Sequence, residues 1–336
     1  MPVFMIGTQR SGSNLLRLML NQLPNIAAPH PPHILHRMTP LLPVYGDLSK
    51  ASNFAMLVED VCRLIELNPV AWEGVTLDRR QIAAACRERS LVAVFGATYQ
   101  ALAEARGAQT WMCKSMQNTL FLAQIEAYFP DARYIYLYRD GRDVAVSFRK
   151  AVVGEKHFFH IAKEWGETQR LALAHRAVVP AERFANVSYE ELTAQPEATM
   201  QRLCAFLGAA YHPSMLEFHK SDEAKRAAES SALWGNVVKP VMTDNTRKFL
   251  REAAAEDIRV FEHVAGDVLD ALGYERVYVK RGEERVFSAE ATRAFDEVNK
   301  RLKQEVLAGV DQEDLKRRDQ QSALLTQIKQ RVPLAA

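Results

Sequence analysis

A short loop near the start of the chain has the spacing of a phosphate-binding loop. The run VFMIGTQRSGSNLLRLML contains an apolar strand, a turn with the spacing Gly7-x-x-x-x-Gly12, and a helix that begins at about Ser13. In nucleotide-binding proteins such a loop holds phosphate oxygens with its backbone N–H groups and the helix N-terminus. A nucleoside triphosphatase would need Lys and Ser or Thr at Ser13 and Asn14, to bind phosphates and Mg²⁺. The loop, whose one cation is Arg10, is therefore predicted to bind phosphate or sulfate without a metal.

A second group of polar residues follows the strand-like run RYIYLY. The sequence continues RDGRDVAVS, which places Arg139 at the strand end and Ser147 about two turns into the next helix. A guanidinium binds two phosphate oxygens and a hydroxyl binds a third, which suits a terminal phosphate. Two phosphate sites on adjacent strands predict a ligand phosphorylated at both ends of a nucleoside, such as adenosine 3′,5′-bisphosphate. The alternative is that Arg139, Asp140, Arg142 and Asp143 form surface ion pairs at a helix start.

Short strands alternate with helices along the chain, and these elements must position the two predicted phosphate-binding segments. Strand-like runs of β-branched or aromatic residues lie beside longer helical patterns at residues 3–6, 110–113, 133–138 and 184–187. The alternation predicts an α/β fold, a central parallel sheet flanked by helices, with functional residues at the carboxyl ends of the strands. Residues 26–50, rich in Pro and His, are predicted to form a loop, and residues 53–67 and 78–106 to form helices that cover the sheet.

The chain divides into two predicted regions near residue 286. Residues 1–285 are expected to form one α/β domain with a P-loop-like nucleotide-binding architecture, in which residues 26–106 are a largely helical insertion. Residues 286–336 form a charged helical C-terminal extension with two helical patterns and almost no aromatic residues after Phe295. This extension either packs on the domain as a solvated tail or serves dimerisation or partner docking.

Composition limits the class of protein. The 336 residues carry a net charge of 43 − 41 = +2, so nothing global indicates nucleic acid or an anionic membrane. No apolar run approaches the ~20 residues of a membrane span, and a strand that begins at residue 3 leaves no room for a signal peptide. We therefore predict a soluble cytoplasmic protein with reduced thiols at its four widely spaced cysteines, Cys62, Cys86, Cys113 and Cys204.

Taken together, the motifs GTQRSGSNLLRLML and YLYRDGRDVAVSF resemble the sulfotransferase superfamily that uses 3′-phosphoadenosine-5′-phosphosulfate (PAPS). The first resembles the family's 5′-phosphosulfate loop and the second its 3′-phosphate-binding segment. Further similarities follow in order: Lys114 just before a helix, then the segments NVSYEELTAQPEATMQRLCAFLG, TDNTRKFL and LGY. The resemblance covers roughly residues 3–275. It implies an enzyme that moves the sulfonate of PAPS to a hydroxyl, or less often an amine, without a metal, and leaves adenosine 3′,5′-bisphosphate.

The resemblance also implies which residues bind the donor. Arg139 and Ser147 are expected to hold the 3′-phosphate, and Tyr189 to contact the adenine or the cofactor phosphates. Arg247 and Lys248 are expected to close over the 3′-phosphate. The 5′-phosphosulfate is expected on the first loop and the start of its helix, at Arg10, Ser11, Gly12, Ser13 and Asn14.

Catalysis requires a cation at the leaving oxygen and a base for the acceptor. The resemblance places Lys114 beside the oxygen that bridges phosphate and sulfonate, where charge builds as the S–O bond breaks, with Arg10 at the sulfonate. Family members place a His or Glu base in the segment after the first helix. Here that segment holds no carboxylate and reads PHPPHILH.

Three histidines in that segment could act as the base, because a neutral imidazole suits deprotonation of a hydroxyl. His33 is the first choice, since it follows Pro-Pro, where some relatives that act on carrier-bound acyl chains have Pro-Pro-Glu. His30 is the second, because a gapless alignment to other relatives puts a carboxylate near it, and His36 is the third. The period of three also permits a metal site made of these histidines.

The acceptor is a small molecule, a lipid or a carrier-bound group, according to the same resemblance. Its pocket is expected from residues 26–106 and 150–165, with Phe158, Phe159 and Trp165 as candidate lining residues. The C-terminal helices could also form a homo-oligomer. Two other functions remain open from the sequence: a P-loop kinase for small molecules, and a non-catalytic nucleotide-binding or scaffold protein with the same fold.

Overall fold

A parallel five-stranded sheet lies at the centre of the computed structural model, which describes residues 1–230, 232–309 and 312–331. The strand order in these residues is β2-β3-β1-β4-β5. Four strands lie where the sequence predicts them, and the additional strand, β2, has two residues and pairs with β3. The strands are β1 (Val3–Gly7), β2 (Ile26–Ala27), β3 (Thr110–Cys113), β4 (Arg133–Tyr138) and β5 (Phe184–Ser188).

Helices connect the strands and cover the sheet, as the α/β pattern predicts. Within the described residues, none of them has both the length and the apolar content needed to cross a membrane. The helices are α1 (Ser13–Leu20), α2 (Ile34–Met38), α3 (Ala51–Glu66), α4 (Arg79–Ala85), α5 (Leu91–Ala105), α6 (Leu122–Tyr128), α7 (Gly141–Lys150), α8 (Phe158–Val178), α9 (Tyr189–Ala194), α10 (Pro196–Leu207), α11 (Asp222–Ser230), α12 (Phe249–Glu252), α13 (Ala255–Ala271), α14 (Ala289–Ala308) and α15 (Gln312–Lys329).

The sheet is buried on both faces, and most of its strand residues are apolar. Successive residues of a strand point to opposite faces. In β1, Phe4 and Ile6 accordingly join a core cluster formed with α3 and α5, whereas Met5 joins a second cluster with α1 and α10. A parallel sheet covered on both sides leaves the strand ends as the place for polar residues.

Residues 26–50 are more ordered than the predicted loop. They form β2, α2 and a 3₁₀-helix over Thr39–Tyr45. The apolar side chains of Ile34, Leu35 and Met38 pack into the first core cluster, which gives this segment a buried face despite its prolines. Pro and His content alone therefore predicted too little structure here.

The two helices of the C-terminal extension pack on the domain. On α14, the Asn299 Oδ1 atom accepts hydrogen bonds from the backbone N–H groups of Lys156 (2.8 Å) and His157 (3.0 Å). On α15, Leu324 and Ile328 are buried in the first core cluster. The extension is thus part of the folded body of the protein in its described residues.

Candidate functional site

A cleft with a volume of about 590 Å³ opens at the carboxyl ends of the strands. Gly7 ends β1, and the three residues that directly follow β3, β4 and β5 are Lys114, Arg139 and Tyr189. All four line the cleft. Parallel strands end at the same edge of a sheet, so this fold brings together residues that are far apart in sequence.

The first loop requires glycine at both of its ends. Gly7 has φ +125°, and a Cβ atom there would overlap the carbonyl oxygen of Leu137 on β4. Gly12 precedes α1 with φ +89°, and a Cβ atom there would lie 2.5 Å from the Tyr189 ring. Between them, Arg10 adopts φ +69°, an uncommon conformation for a non-glycine residue. The loop is therefore tightly fitted against the residue that follows β5.

Direct hydrogen bonds join this loop to the group that follows β4. The Arg10 Nε atom donates to Ser147 Oγ at 2.9 Å, and Arg139 Nη1 donates to the Arg10 carbonyl at 3.1 Å. Arg139 also donates to the carbonyl of Asn245, and its guanidinium lies 4.2 Å from the centroid of the Tyr189 ring. The two motifs recognised in the sequence therefore form one continuous site.

Several polar atoms in this site have no hydrogen-bond partner within the described residues. They are Ser11 Oγ, Asn14 Oδ1 and Arg139 Nε, and Ser11 and Arg139 are buried. A buried donor without a partner costs free energy, about 1–3 kcal/mol for a neutral group. The hydroxyl of Ser11 and the Nε–H of Arg139 are therefore suited to an anionic ligand that accepts hydrogen bonds.

The cleft is strongly cationic. In the part of the chain that the structure describes, one acidic side chain, Glu164, lines it. Burial, Arg17 and Arg10 lower the pKa of Lys114 to about 7, and burial and Arg139 lower the pKa of Arg10. Crowded cations of this kind are stabilised by a bound anion. The Lys and Arg residues that line the cleft are Arg10, Arg37, Lys114, Arg139, Lys239 and Lys248.

All three candidate histidines line the cleft. His33 precedes α2 with φ +59°, and its Nδ1 atom lies 2.8 Å from the hydroxyl of Ser115, which follows Lys114 in the chain. Burial, and next Lys114, hold the pKa of His33 well below its usual value, so its imidazole is neutral near pH 7. Uncommon backbone conformations in non-glycine residues cluster at functional sites, and His33 and Arg10 both have one.

His30 and His36 differ from His33 in their surroundings. The ring of His30 lies 4.6 Å from that of Trp234, and burial and Lys114 keep its pKa well below the usual value. Its Nε2 atom has no hydrogen-bond partner among the described residues. The side chain of His36 is exposed, and partial desolvation and Arg37 lower its pKa. The described residues contain no cluster of His, Cys, Asp or Glu that could hold a metal.

Some of the remaining predicted site residues line the cleft and others do not. Lys248 lines the cleft, as do Ser13, Asn14 and Ser147, whereas Ser11 is buried beneath the loop. Arg247 is exposed, does not line the cleft and has φ +52°. The side chain of Arg247 is therefore not among the predicted site residues that the fold brings together at the cleft.

The ion pairs at the start of α7 are buried rather than on the surface. Arg142 pairs with Asp140 at 2.8 Å and with Glu262 at 2.7 Å, and all three side chains are buried. Asp143 accepts from the backbone N–H of Phe249 at 3.0 Å. These pairs fix α7 against α12 and α13, and they leave Arg139 as the cation of this motif that lines the cleft.

Sequence reasoning missed several residues of the site. Ser115 carried a detectable signal, because it directly follows Lys114 at the end of a strand. Trp234 and Gln321 line the cleft but lie in segments without a recognisable motif. Of the three aromatic residues predicted to line an acceptor pocket, Trp165 lines the cleft, whereas Phe158 and Phe159 pack elsewhere.

A comparison with protein families and curated proteins identifies relatives of the chain. The profile described as "Sulfotransferase family" matches residues 2–213. Protein-tyrosine sulfotransferase from Drosophila melanogaster is 22% identical over 284 residues, which are 81% of this chain and 51% of that protein. Protein-tyrosine sulfotransferase 2 from Gallus gallus is 20% identical over 285 residues, with 81% and 69% covered. The chain thus spans about half the length of the fly relative.

Two solved structures share the fold. The sulfotransferase domain from the Synechococcus PCC 7002 olefin synthase superposes with a TM-score of 0.55 at 20% identity, covering 78% of this chain and 94% of that domain. The sulfotransferase domain from the curacin biosynthetic pathway gives a TM-score of 0.54 at 20% identity, with 82% and 98% covered. At this level of identity the likeness establishes the fold.

Proposed function

This chain belongs to the sulfotransferase family, and we propose that it transfers the sulfonate of PAPS to an acceptor hydroxyl, with an amine as the less favoured acceptor. One observation carries the proposal. Two anion-binding segments, at Arg10 and Arg139, are hydrogen-bonded to each other, and both line the same cleft as Lys114. A donor that carries phosphate at both ends of a nucleoside fits such a pair of segments.

The residues present fit this donor. Arg10, Ser11, Gly12, Ser13 and Asn14 would hold the 5′-phosphosulfate, because all of them except the buried Ser11 line the cleft and the start of α1 favours an anion. The hydroxyl of Ser11, which lacks a partner within the described chain, would reach the donor only if the loop opened. Arg139, Ser147, Tyr189 and Lys248 would hold the 3′-phosphate and the adenosine. Arg247 is next to Lys248 and is exposed, so contact with the donor would require its side chain to fold inward.

The cationic side chains carry the transfer step in this proposal. The bound donor supplies an activated sulfonate whose leaving oxygen gains negative charge as its bond to sulfur breaks. Lys114 and Arg10 hold fixed positive charge where that charge develops, which lowers the barrier more than it strengthens ground-state binding. They supply the charge that Mg²⁺ supplies in nucleoside triphosphatases, so we propose a metal-free in-line displacement.

His33 is the proposed base. In the tautomer whose Nδ1–H donates to Ser115, the Nε2 lone pair is available to accept the acceptor's proton. The lowered pKa keeps this lone pair unprotonated near pH 7. His33 is also coupled to Lys114 through the adjacent Ser115, which places the proton acceptor and the leaving-group cation on neighbouring segments. His30 is the second candidate.

Replacing His33 by alanine is expected to lower kcat by about 10²–10⁴-fold, the usual contribution of a general base. Donor affinity should change little, because the imidazole is neutral. The measurement is transfer of radiolabelled sulfonate from PAPS to the acceptor that the wild-type protein uses fastest. His36→Ala is the matched control, since that residue also lines the cleft but is exposed. A large loss in His30→Ala with near wild-type rates in His33→Ala would assign the base to His30.

Donor binding is expected to take up a proton on Lys114. Its pKa is about 7 in the free protein, and phosphate charge in the cleft favours the ammonium form and raises that pKa. At a pH between the pKa of Lys114 in the free protein and its higher pKa in the complex, the complex holds a proton that the free protein lacks. The affinity for adenosine 3′,5′-bisphosphate should therefore fall as pH rises above about 7. Calorimetry in buffers of different ionisation enthalpy measures this uptake, and Lys114→Met should abolish it. A binding enthalpy that is independent of the buffer would refute the coupling.

The acceptor and the compartment are also part of the proposal. The acceptor is a small molecule, a lipid or a carrier-bound group that enters beside the histidines. A cytoplasmic location is supported by the free thiols of Cys62, Cys86, Cys113 and Cys204, because free cysteines are typical of a reducing compartment. We also propose a homo-oligomer that forms through the exposed faces of the C-terminal helices α14 and α15.

A further inference from the structure

One face of α15 runs from the cleft outward along a second groove. Gln321 lines the cleft, and Leu325 and Lys329, four and eight residues later, line the groove, which has a volume of about 350 Å³. Residues with this spacing lie on one face of a helix, and eight residues span roughly 12 Å. Arg37 lines both the cleft and the groove, so the two spaces share a wall.

The groove is fixed in place rather than being a gap under a loose tail. Leu324 and Ile328, on the neighbouring face of α15, are buried in the core. Gln321 donates from Nε2 to the carbonyl of Leu64 at 2.7 Å and accepts a hydrogen bond from Arg37. Beyond the end of the helix, Arg331 pairs with the buried Asp60. The wall that α15 provides is therefore held at both ends.

The groove lies beside the histidine end of the cleft. Arg37, which lines both spaces, directly follows His36 in the chain, and its backbone N–H donates to the carbonyl of His33 at 3.0 Å. Arg139 instead contacts Arg10, Tyr189 and Asn245. A molecule that extends from the proposed base into the groove therefore moves away from the donor-binding segments, and this is the path of an acceptor.

The lining of the groove is mostly apolar. Pro40, Leu41 and Val44 form one wall, and Leu325 with the small side chain of Thr326 forms the other. We propose that this groove is an acceptor subsite that takes an unbranched aliphatic chain, whose hydroxyl lies at His33 and Lys114. The subsite rests on the proposed sulfotransferase function, and it makes the natural acceptor an amphiphile with its hydroxyl near one end of the chain.

Chain length provides the test, with 1-butanol, 1-hexanol and 1-octanol as acceptors and radiolabelled PAPS as donor. We expect kcat/KM to rise about fourfold per added methylene, the factor for burying one CH₂ group. Thr326 is exposed and lines the groove, so Thr326→Trp should fill it and remove this dependence on chain length. Gln327→Trp is the matched control, because this exposed neighbour on α15 does not line the groove.

The outcomes separate the subsite from the function on which it rests. No chain-length dependence, or a dependence that Thr326→Trp leaves intact, overturns the subsite. A wild-type protein that binds adenosine 3′,5′-bisphosphate but sulfonates none of the alcohols also overturns it and leaves the donor assignment standing. Absence of bisphosphate binding overturns the proposed function itself. If Thr326→Trp instead converts a dimer into a monomer without changing the alcohol series, the groove is an interface between copies.

Discussion

Replacing Lys114 by methionine is expected to lower kcat by about 10²–10³-fold, the usual loss when one preorganised group that stabilises transition-state charge is removed. Lys114 is buried at the end of β3, and the described residues give it no carboxylate partner in the cleft. Its charge is therefore available to a leaving group rather than committed to an ion pair. Methionine keeps the length and the apolar stem of lysine, so the packing around Cys113 and Met116 should survive.

The Lys114 variant needs a readout that separates chemistry from folding and binding. Affinity for adenosine 3′,5′-bisphosphate near pH 8 should change much less than kcat, because Lys114 is mostly neutral in the free protein at that pH. Lys300→Met serves as the control, since that lysine is exposed on α14 and pairs with Glu297. A Lys114→Met protein with the wild-type kcat and a normal melting temperature would contradict the assigned role.

Replacing Arg139 by alanine is expected to weaken binding of adenosine 3′,5′-bisphosphate at least about 100-fold. Each charge-assisted hydrogen bond contributes about 1.5–3 kcal/mol, and a guanidinium offers a phosphate more than one. The buried Arg139 also holds the carbonyls of Arg10 and Asn245, so part of the loss reflects a looser loop. Isothermal titration calorimetry without added metal measures the change.

Two further variants test whether the positive charge of Arg139 or the hydrogen-bonding geometry of its guanidinium is needed. Arg139→Lys keeps the charge but loses the fork, and we expect an intermediate affinity. Arg149→Ala removes an arginine of α7, the helix that follows Arg139; Arg149 is partly exposed and pairs with Asp257, so this variant should bind the bisphosphate like the wild type. Wild-type affinity in a folded Arg139→Ala protein would show that the 3′-phosphate does not bind here.

The sheet and the position of the two proposed donor-binding segments could be predicted because their signals are local. An apolar run followed by a glycine-spaced turn predicts a strand, a loop and a helix start from neighbouring residues alone, and β1 and α1 lie as predicted. The run RYIYLY coincides with β4. Once the strands are parallel, the convergence of Lys114, Arg139 and Tyr189 follows from topology, because each directly follows a strand.

The walls of the cleft could not be predicted, since they depend on tertiary packing. Gln321, on a charged helix, lies 182 residues after Arg139 and 311 after Arg10, and the packing of α15 through Leu324 and Ile328 brings it to the cleft. The positive φ of His33 likewise could not be predicted, because histidine is not a residue type that such a conformation requires. Long-range contacts of this kind leave no periodic pattern in the sequence.

The motif at the start of α7 shows a second limit. Its letters RDGRD contain two arginines with equivalent charge, and the sequence offers surface ion pairs for both as an alternative. The structure buries Arg142 against Asp140 and Glu262, whereas Arg139 reaches the cleft. Position relative to the strand end, rather than charge, decides which arginine is available to a ligand.

The most direct test of the account is a calorimetric comparison of adenosine 3′,5′-bisphosphate with Mg-ATP on the wild-type protein. The account predicts micromolar binding of the bisphosphate without added metal and much weaker binding of Mg-ATP, because Ser13 and Asn14 replace the lysine and the magnesium-binding hydroxyl of a nucleoside triphosphatase. Preferential binding of Mg-ATP would contradict the donor assignment and would make this loop that of a kinase.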